Sequence, residues 1–282
     1  MAQIVCLANS WKHGERCIAG INKHQKKWIR PVCSLYPQNG RVPKEIRLIE
    51  RREPALLDVL EIPLEKDGPD YGFESENITI ASGKWKRLGK VPPTDLLEYC
   101  QNYDNILHNS DKYVTVPFLK SRPFPERRTL ELVYATKFIV RCIDKGEGTK
   151  WRGSFITDTG LQLTDASITD PVFVKKLELS YRPQNPCLIT VSLSLPHVPP
   201  DWEGDDPCWK LIAGVIELSE FDLILVEMKR VGWNIEQGRS YLKTNYQKCS
   251  RQQLNQNEIT SFLNHLKSLP ATVTSKQRAV VR

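Results

Sequence analysis

The chain has 282 residues, enough for two domains of ordinary size, and 40% hydrophobic with 26% charged residues is the balance of a globular protein. That balance excludes a disordered chain, and apolar runs such as Leu223–Val226 fall far short of a membrane-spanning helix. The formal net charge of +7 is unevenly placed: residues 1–52 carry 11 Lys and Arg against 3 Asp and Glu, residues 53–228 carry 19 against 28, and residues 229–282 carry 10 against 2. Basic ends around an acidic middle point to an extended anionic partner, most simply nucleic acid. Met1–Ser10 lacks the basic start and apolar centre of a secretory signal, so a cytoplasmic location and no membrane partner are expected. The eight cysteines form no CxxC pair and have no His at metal-ligand spacing; most lie beside apolar residues. Buried reduced thiols are expected, not disulfides or a zinc site.

In chain order, QIVCLAN, RCIAGIN and KWIRPV, separated by HGE and NKHQ, predict three short strands. ALLDVLEIPL predicts a fourth, with Leu57, Val59 and Glu61 alternating against Leu56, Asp58 and Leu60 until Pro63 blocks continuation. NITIAS and YVTVPFL complete the first set. Between them, PPTDLLEYCQNYDNILHN has helical spacing. It places Leu96, Tyr99, Cys100, Tyr103, Ile106 and Leu107 on one face with Thr94 as N-cap, predicting an inserted helix over 94–109. A second strand series starts near Thr129: LELVYATKFIVRCID, WRGSFIT, LQLTDASIT, KLELSYR, CLITVSLSL and WKLIAGVIEL, with a DKGEGTK turn at 144–150 in its first hairpin. Two sets of short strands without strand–helix alternation predict small closed barrels.

The C-terminus changes period. Asn234 with Gln237, Ser250 with Gln253 and Asn255 with Glu258 have capping-box spacing, and Ile259, Phe262, Leu263 and Leu266 form one apolar stripe that Pro270 ends. The predicted fold is therefore mainly β. A first barrel covers 1–128, a second 129–226, a small α-helical module 227–270, and a flexible basic tail 271–282.

Single-stranded nucleic acid is held by cations along its phosphates and by rings under its bases, each stacked base contributing about 1–3 kcal/mol. NSWKHGERCIAGINKHQKKWIRPV supplies Lys12, His13, Arg16, Lys23, Lys26, Lys27 and Arg30, with Trp11 and Trp28 as rings. The competing reading is a half-buried hairpin with Trp28 in the core and its lysines merely solvated. KWKRLGK repeats the chemistry with Lys84, Lys86 and Arg87 around Trp85, and KWRG with Trp151 beside Arg152; the C-terminal module adds Lys248 and Arg251. Asp158, Asp165 and Asp170, with Asp144 or Glu147, fit either a nuclease-like Mg²⁺ set or plain turn and strand ends. There is no P-loop, dinucleotide fingerprint, GxSxG or HExxH. The expectation is a binding protein with no catalytic residues, metal or cofactor.

LANSWKHGERCIAGI followed by WIRPV resembles the opening of bacterial proteins that carry the dual OB-containing domain. LLDVLEIPL, ESENITI, LQLTDASITDP, VSLSLP and CWKLIAGVIEL fit the same pattern, which spans roughly residues 3–218. Trp11 departs from the basic or small residue usual at its place in NSxK. Residues 232–270 are similar to a helical module that ends some bacterial and phage DNA-repair proteins, notably single-strand-annealing ones. The resemblance implies two tandem OB-like barrels with a helical appendage. It also implies a nucleic-acid-binding adaptor, preferentially for single strands, in bacterial repair, mobile-element or antiviral machinery. Two other classes remain open: a sensor whose cleft holds a nucleotide-like small molecule, and an interaction scaffold for protein partners in a larger complex.

Overall fold

The computed structural model describes residues 1–101, 103–144 and 149–272. The expected turn at 145–148 with Glu147, the Asp144 side chain and the tail from 273 lie outside the described residues.

β1 (Ala2–Lys12), β2 (Glu15–Asn22) and β3 (Lys27–Val32) form an antiparallel meander. Its turns use the residues that make turns. His13 and Gly14 take φ of 48° and 79°, and the Asn22 side chain accepts from the amides of His24 and Gln25, both at 3.0 Å. After α1 (Lys44–Arg47), β4 (Asp58–Ile62) pairs antiparallel with the free side of β1, while β5 (Asn77–Thr79) runs parallel to β3. A Leu64–Ile80 bridge joins the chain beyond β4 to the chain beyond β5. Ile4, Cys6, Ile18, Ile29, Leu60, Ile62 and Trp85 pack inside this sheet. β6 (Lys86–Lys90) lies outside β4 as a fully exposed edge.

β7 (Tyr113–Thr115) and α2 (Val116–Ser121) follow, so YVTVPFL is half strand and half helix; Thr115 caps the helix and Pro117 sits in its first turn. β8 (Leu130–Asp144), β9 (Thr149–Thr157), β10 (Gln162–Ile168), α3 (Pro171–Glu178), β11 (Cys187–Leu193) and β12 (Pro207–Glu217) make the second sheet. β8–β9, β9–β10, β8–β11 and β11–β12 pair antiparallel, and β10–β12 pairs parallel, which closes a five-stranded barrel. Antiparallel 1–2, 2–3 and 1–4 pairs with a parallel 3–5 pair recur in both halves, the arrangement of a five-stranded Greek-key OB barrel. Phe138, Trp151, Phe155 and Phe173 dominate the second core. Cys6, Cys33, Cys187 and Cys208 are buried free thiols; burial pushes Cys187 and Cys208 up to about 12.

Two expectations change here. The 94–109 helix is replaced by short 3₁₀ turns at Pro93–Tyr99 and Ile106–His108. The first begins after Pro92 with no side-chain cap from Thr94. The second is broken by Leu107 at φ 44°, whose amide donates to the Glu131 carboxylate at 2.8 Å instead of to a helical carbonyl. KLELSYR forms no strand: Lys176–Glu178 end α3 and the rest follows it as turn and irregular chain, because Asp170 accepts from the amides of Val172 and Phe173 and Pro171 occupies the first helical position.

The chain divides into two compact units, Met1–Glu217 and a second beginning at Leu218. Residues 218–226, assigned from sequence to the second barrel, group with the C-terminal helices, and β7, assigned to the first barrel, pairs with β12. The second unit holds α4 (Glu220–Arg230), α5 (Ile235–Tyr246) and α6 (Gln256–Ser268). Capping boxes form at Ser219–Asp222, Asn234–Gln237, Ser250–Gln253 and Asn255–Glu258, and the Ile259, Phe262, Leu263 and Leu266 stripe is buried.

Candidate nucleic-acid interface

An OB barrel offers ligands the outer face of its second and third strands. In the first barrel that face is β2–β3, and the second barrel packs over its middle. Ala8, Ala19 and the half-buried Trp28 pack against Leu130 and Ala213 of the second barrel. The Thr190 hydroxyl donates to the Leu7 carbonyl at 2.7 Å, and the Trp11 amide to the Thr169 carbonyl at 2.9 Å. A buried polar cluster completes the seam. The Arg30 guanidinium, 1% exposed, pairs with Glu74 at 2.9 Å and donates to Asn77 at 3.0 Å and Thr129 at 2.9 Å. Glu76 accepts from the Thr129 amide at 2.6 Å and its hydroxyl at 2.9 Å. Burial alone would depress Arg30, but Glu74 and Glu76 hold it above its ordinary range, while burial lifts Glu76 despite Arg30 and Thr129.

Three sequence-derived contacts are corrected by these positions. Arg30, 1% exposed, is a buried inter-barrel tie engaged by Glu74, Asn77 and Thr129. Trp85, 4% exposed, lies in the first core and Trp151, 7% exposed, in the second. Strand alternation explains Trp151: with Lys150 and Arg152 toward water, the ring between them faces inward; Trp85 precedes β6 and packs among Ile4, Ile18 and Leu60.

In the second barrel the outer face of β8–β9, its first and second strands, is open. Lys137, Ile139 and Arg141 on β8 stand opposite Ile156, Ser154 and Arg152 on β9, and Lys150 continues the row. Lys137, Ile139, Arg141 and Lys150 are exposed and Arg152 is half-buried. The counter-charge on this face is Asp165, held at φ 57° in a β10 bulge, bonded to Arg141 at 2.6 and 2.9 Å and 3.8 Å from Lys112. Those cations keep Asp165 below the usual carboxylate range against the opposing effect of burial. Asp170, by contrast, caps α3, and Asp158 is exposed; no group of metal-ligating side chains exists among the described residues.

A separate cleft of about 430 Å³ lies beside the β2–β3 turn. Lys26, Lys27 and Trp28 line one side, Tyr99, Tyr103, Phe124 and Arg128 the other, with Glu76 and Glu131 also reaching it. Arg128 stacks 3.3 Å from the Tyr103 ring centre. Burial raises the Glu131 carboxyl and pushes Lys210, bonded to Asn109, down to about 8.

Of the remaining sequence candidates, Lys12 and His13 line a cleft of about 310 Å³ together with Trp11 and Arg30, and Arg16 stacks under Trp11 at 3.8 Å. Lys23 and Lys26 lie 3.8 and 3.3 Å from Asp95 and Glu98. Lys86 and Arg87 approach Glu61 and Asp58 at 3.0 and 3.8 Å, and Lys84 is exposed. In the second unit Lys248 pairs with Glu258, and Arg251 donates to the Phe221 carbonyl at 3.3 Å.

The sequence profile of the dual OB-containing domain matches residues 2–215. The chain belongs to the dual OB-containing domain family. An "Uncharacterized protein slr1353" from Synechocystis sp. is 40% identical over 62 residues, which are 22% of this chain and 21% of that relative. No solved structure matches. No helix among the described residues is long and apolar enough to cross a membrane. In this dual OB protein the strongest surface residues missed from sequence are Lys137 and Arg141. Their signal was period-two alternation in ATKFIVRCID, which puts Lys137, Ile139 and Arg141 on one face once the bulge after Ala135 is passed. Tyr103, Phe124 and Arg128 were also missed, although KSRPFPERR carries four cations around one phenylalanine.

Proposed function

We propose that this dual OB protein is a non-catalytic binder of single-stranded nucleic acid, an accessory component of cytoplasmic bacterial repair, mobile-element or antiviral machinery. One observation carries the reading: the β2–β3 face of the first barrel packs against the second barrel, while the outer face of β8–β9 is left open with Lys137, Arg141, Lys150 and Arg152 in register. Cations at that spacing track a phosphate backbone, and the exposed Ile139 between them gives bases an apolar floor. Trp151 turns inward, so stacking on this face is sparse and base readout weak. A labelled strand titrated at rising salt tests the reading. Four neutralised phosphates give log K falling against log salt with a slope of about 3, at about 0.7 per phosphate. Absence of binding to both DNA and RNA at about 50 mM salt would refute it.

A further inference from the structure

The cleft beside the β2–β3 turn carries chemistry that a strand on the β8–β9–β10 face does not use. Arg128 is fixed flat on Tyr103, its Nη1 is buried, and that nitrogen makes no hydrogen bond. Its nearest carboxylate oxygen, Glu131 Oε2, is 3.7 Å away and already accepts from the Leu107 amide at 2.8 Å. The rest of this planar guanidinium, held by a ring and lining the cleft, is pre-organised for an oxyanion. Lys27 stands exposed at the rim of the same cleft. Trp28 and the 47%-exposed Phe124 add flat apolar walls, and Glu131 adds an acceptor at the floor. The combination of ring walls, an anion fork and an inward carboxylate is amphoteric. Neither a simple anion nor an apolar ligand would use all of it.

We propose that this cleft is a site for one nucleoside phosphate, with the base between Trp28 and Phe124, the phosphate on Arg128 and Lys27, and the base's N–H edge on Glu131. A cleft of about 430 Å³ is in the size range of small-ligand sites. The inference goes beyond the strand reading and does not rest on it.

Calorimetric titration of the full chain with GMP, AMP, CMP and UMP, and with guanosine and inorganic phosphate, tests it. At least one nucleoside monophosphate is expected to bind with Kd below about 1 mM. The matching nucleoside and inorganic phosphate should each bind at least about tenfold more weakly, because each carries only half of the groups the cleft recognises. Arg128→Gln should weaken the nucleotide by about tenfold or more, because it removes a charge-assisted hydrogen bond. Phe124→Ala, a change at an exposed ring that spares the fold, should also weaken it measurably. Displacement by a 5′-phosphorylated strand would assign the nucleotide to a strand end, and no displacement to a free nucleotide. The Lys137→Glu/Lys150→Glu pair should weaken strand binding well over tenfold and leave nucleotide binding unchanged, so the two readings fail separately. No binding of any of the four nucleotides at about 1 mM, or unaltered binding in both cleft variants, would overturn the proposal.

Discussion

Arg30 sits in the most basic stretch of the chain, yet it meets two carboxylates and a threonine hydroxyl and no solvent. Removing one member of such a group leaves the others charged and dry. Arg30→Met is therefore expected to cost about 3–5 kcal/mol, read from the urea midpoint at constant slope. Replacing Glu74 with Leu in the same chain should restore part of that stability, because the strongest uncompensated charge goes with it. A single variant as stable as the parent would remove the inter-barrel role. Alternation in KWIRPV shows that Ile29 and Arg30 point to opposite sides of their strand, and that much was legible. Which side would meet water was not, since Arg30 is covered by residues about a hundred positions away, Thr129 among them. Trp151 is different. The same alternation placed it opposite its flanking cations, so its burial could be read from sequence by weighting strand period above composition.

Among the elements, local chemistry was the most legible. All three capping boxes expected near the C-terminus form, because each needs only a side chain and an amide three residues on. Asn255→Ala removes the acceptor for the Glu258 amide, now at 3.0 Å, and should cost about 1 kcal/mol. Hydrogen exchange in the full chain should then accelerate in α6, with the barrel strands unchanged; unaltered exchange there would show the cap to be idle. Ser219 with Asp222 carries the same signal for α4, and it separates 218–226 from the barrel to which strand pattern alone assigns it. The 94–109 segment failed for the opposite reason. Its apolar residues Leu96, Tyr99, Ile106 and Leu107 are buried as the helical period required, but long-range capture of the Leu107 amide by Glu131 took the backbone out of the helix. β6 shows a third case: five exposed residues with three cations look like loop, and only pairing with β4 makes them a strand.

At the scale of the whole molecule, two barrels with the same pairing order use their outer faces differently: β2–β3 of the first is packed, and β8–β9 of the second is open. The first gives its β2–β3 face to packing, which a sequence of strands cannot disclose, because both faces of both barrels read alike until one is covered. Gly214 marks how closely the barrels approach: a Cβ there would lie 2.2 Å from the Leu7 carbonyl oxygen. Gly214→Ala should therefore cost about 1–3 kcal/mol of unfolding free energy by overpacking, and full stability would mean that the seam is loose. The open face of the second barrel then carries the function. The most direct measurement is anisotropy of a labelled single strand at about 50 mM salt with three proteins: the parent, Lys137→Glu/Lys150→Glu and Lys26→Glu/Lys27→Glu. The face reversal changes the charge under the strand by four. It should weaken binding well over tenfold and lower the salt slope by about 0.7 for each phosphate no longer neutralised, with a much smaller effect in the hairpin pair. Parent-like affinity in the face pair, above all with binding abolished in the hairpin pair, would contradict the assignment of the strand to the second barrel.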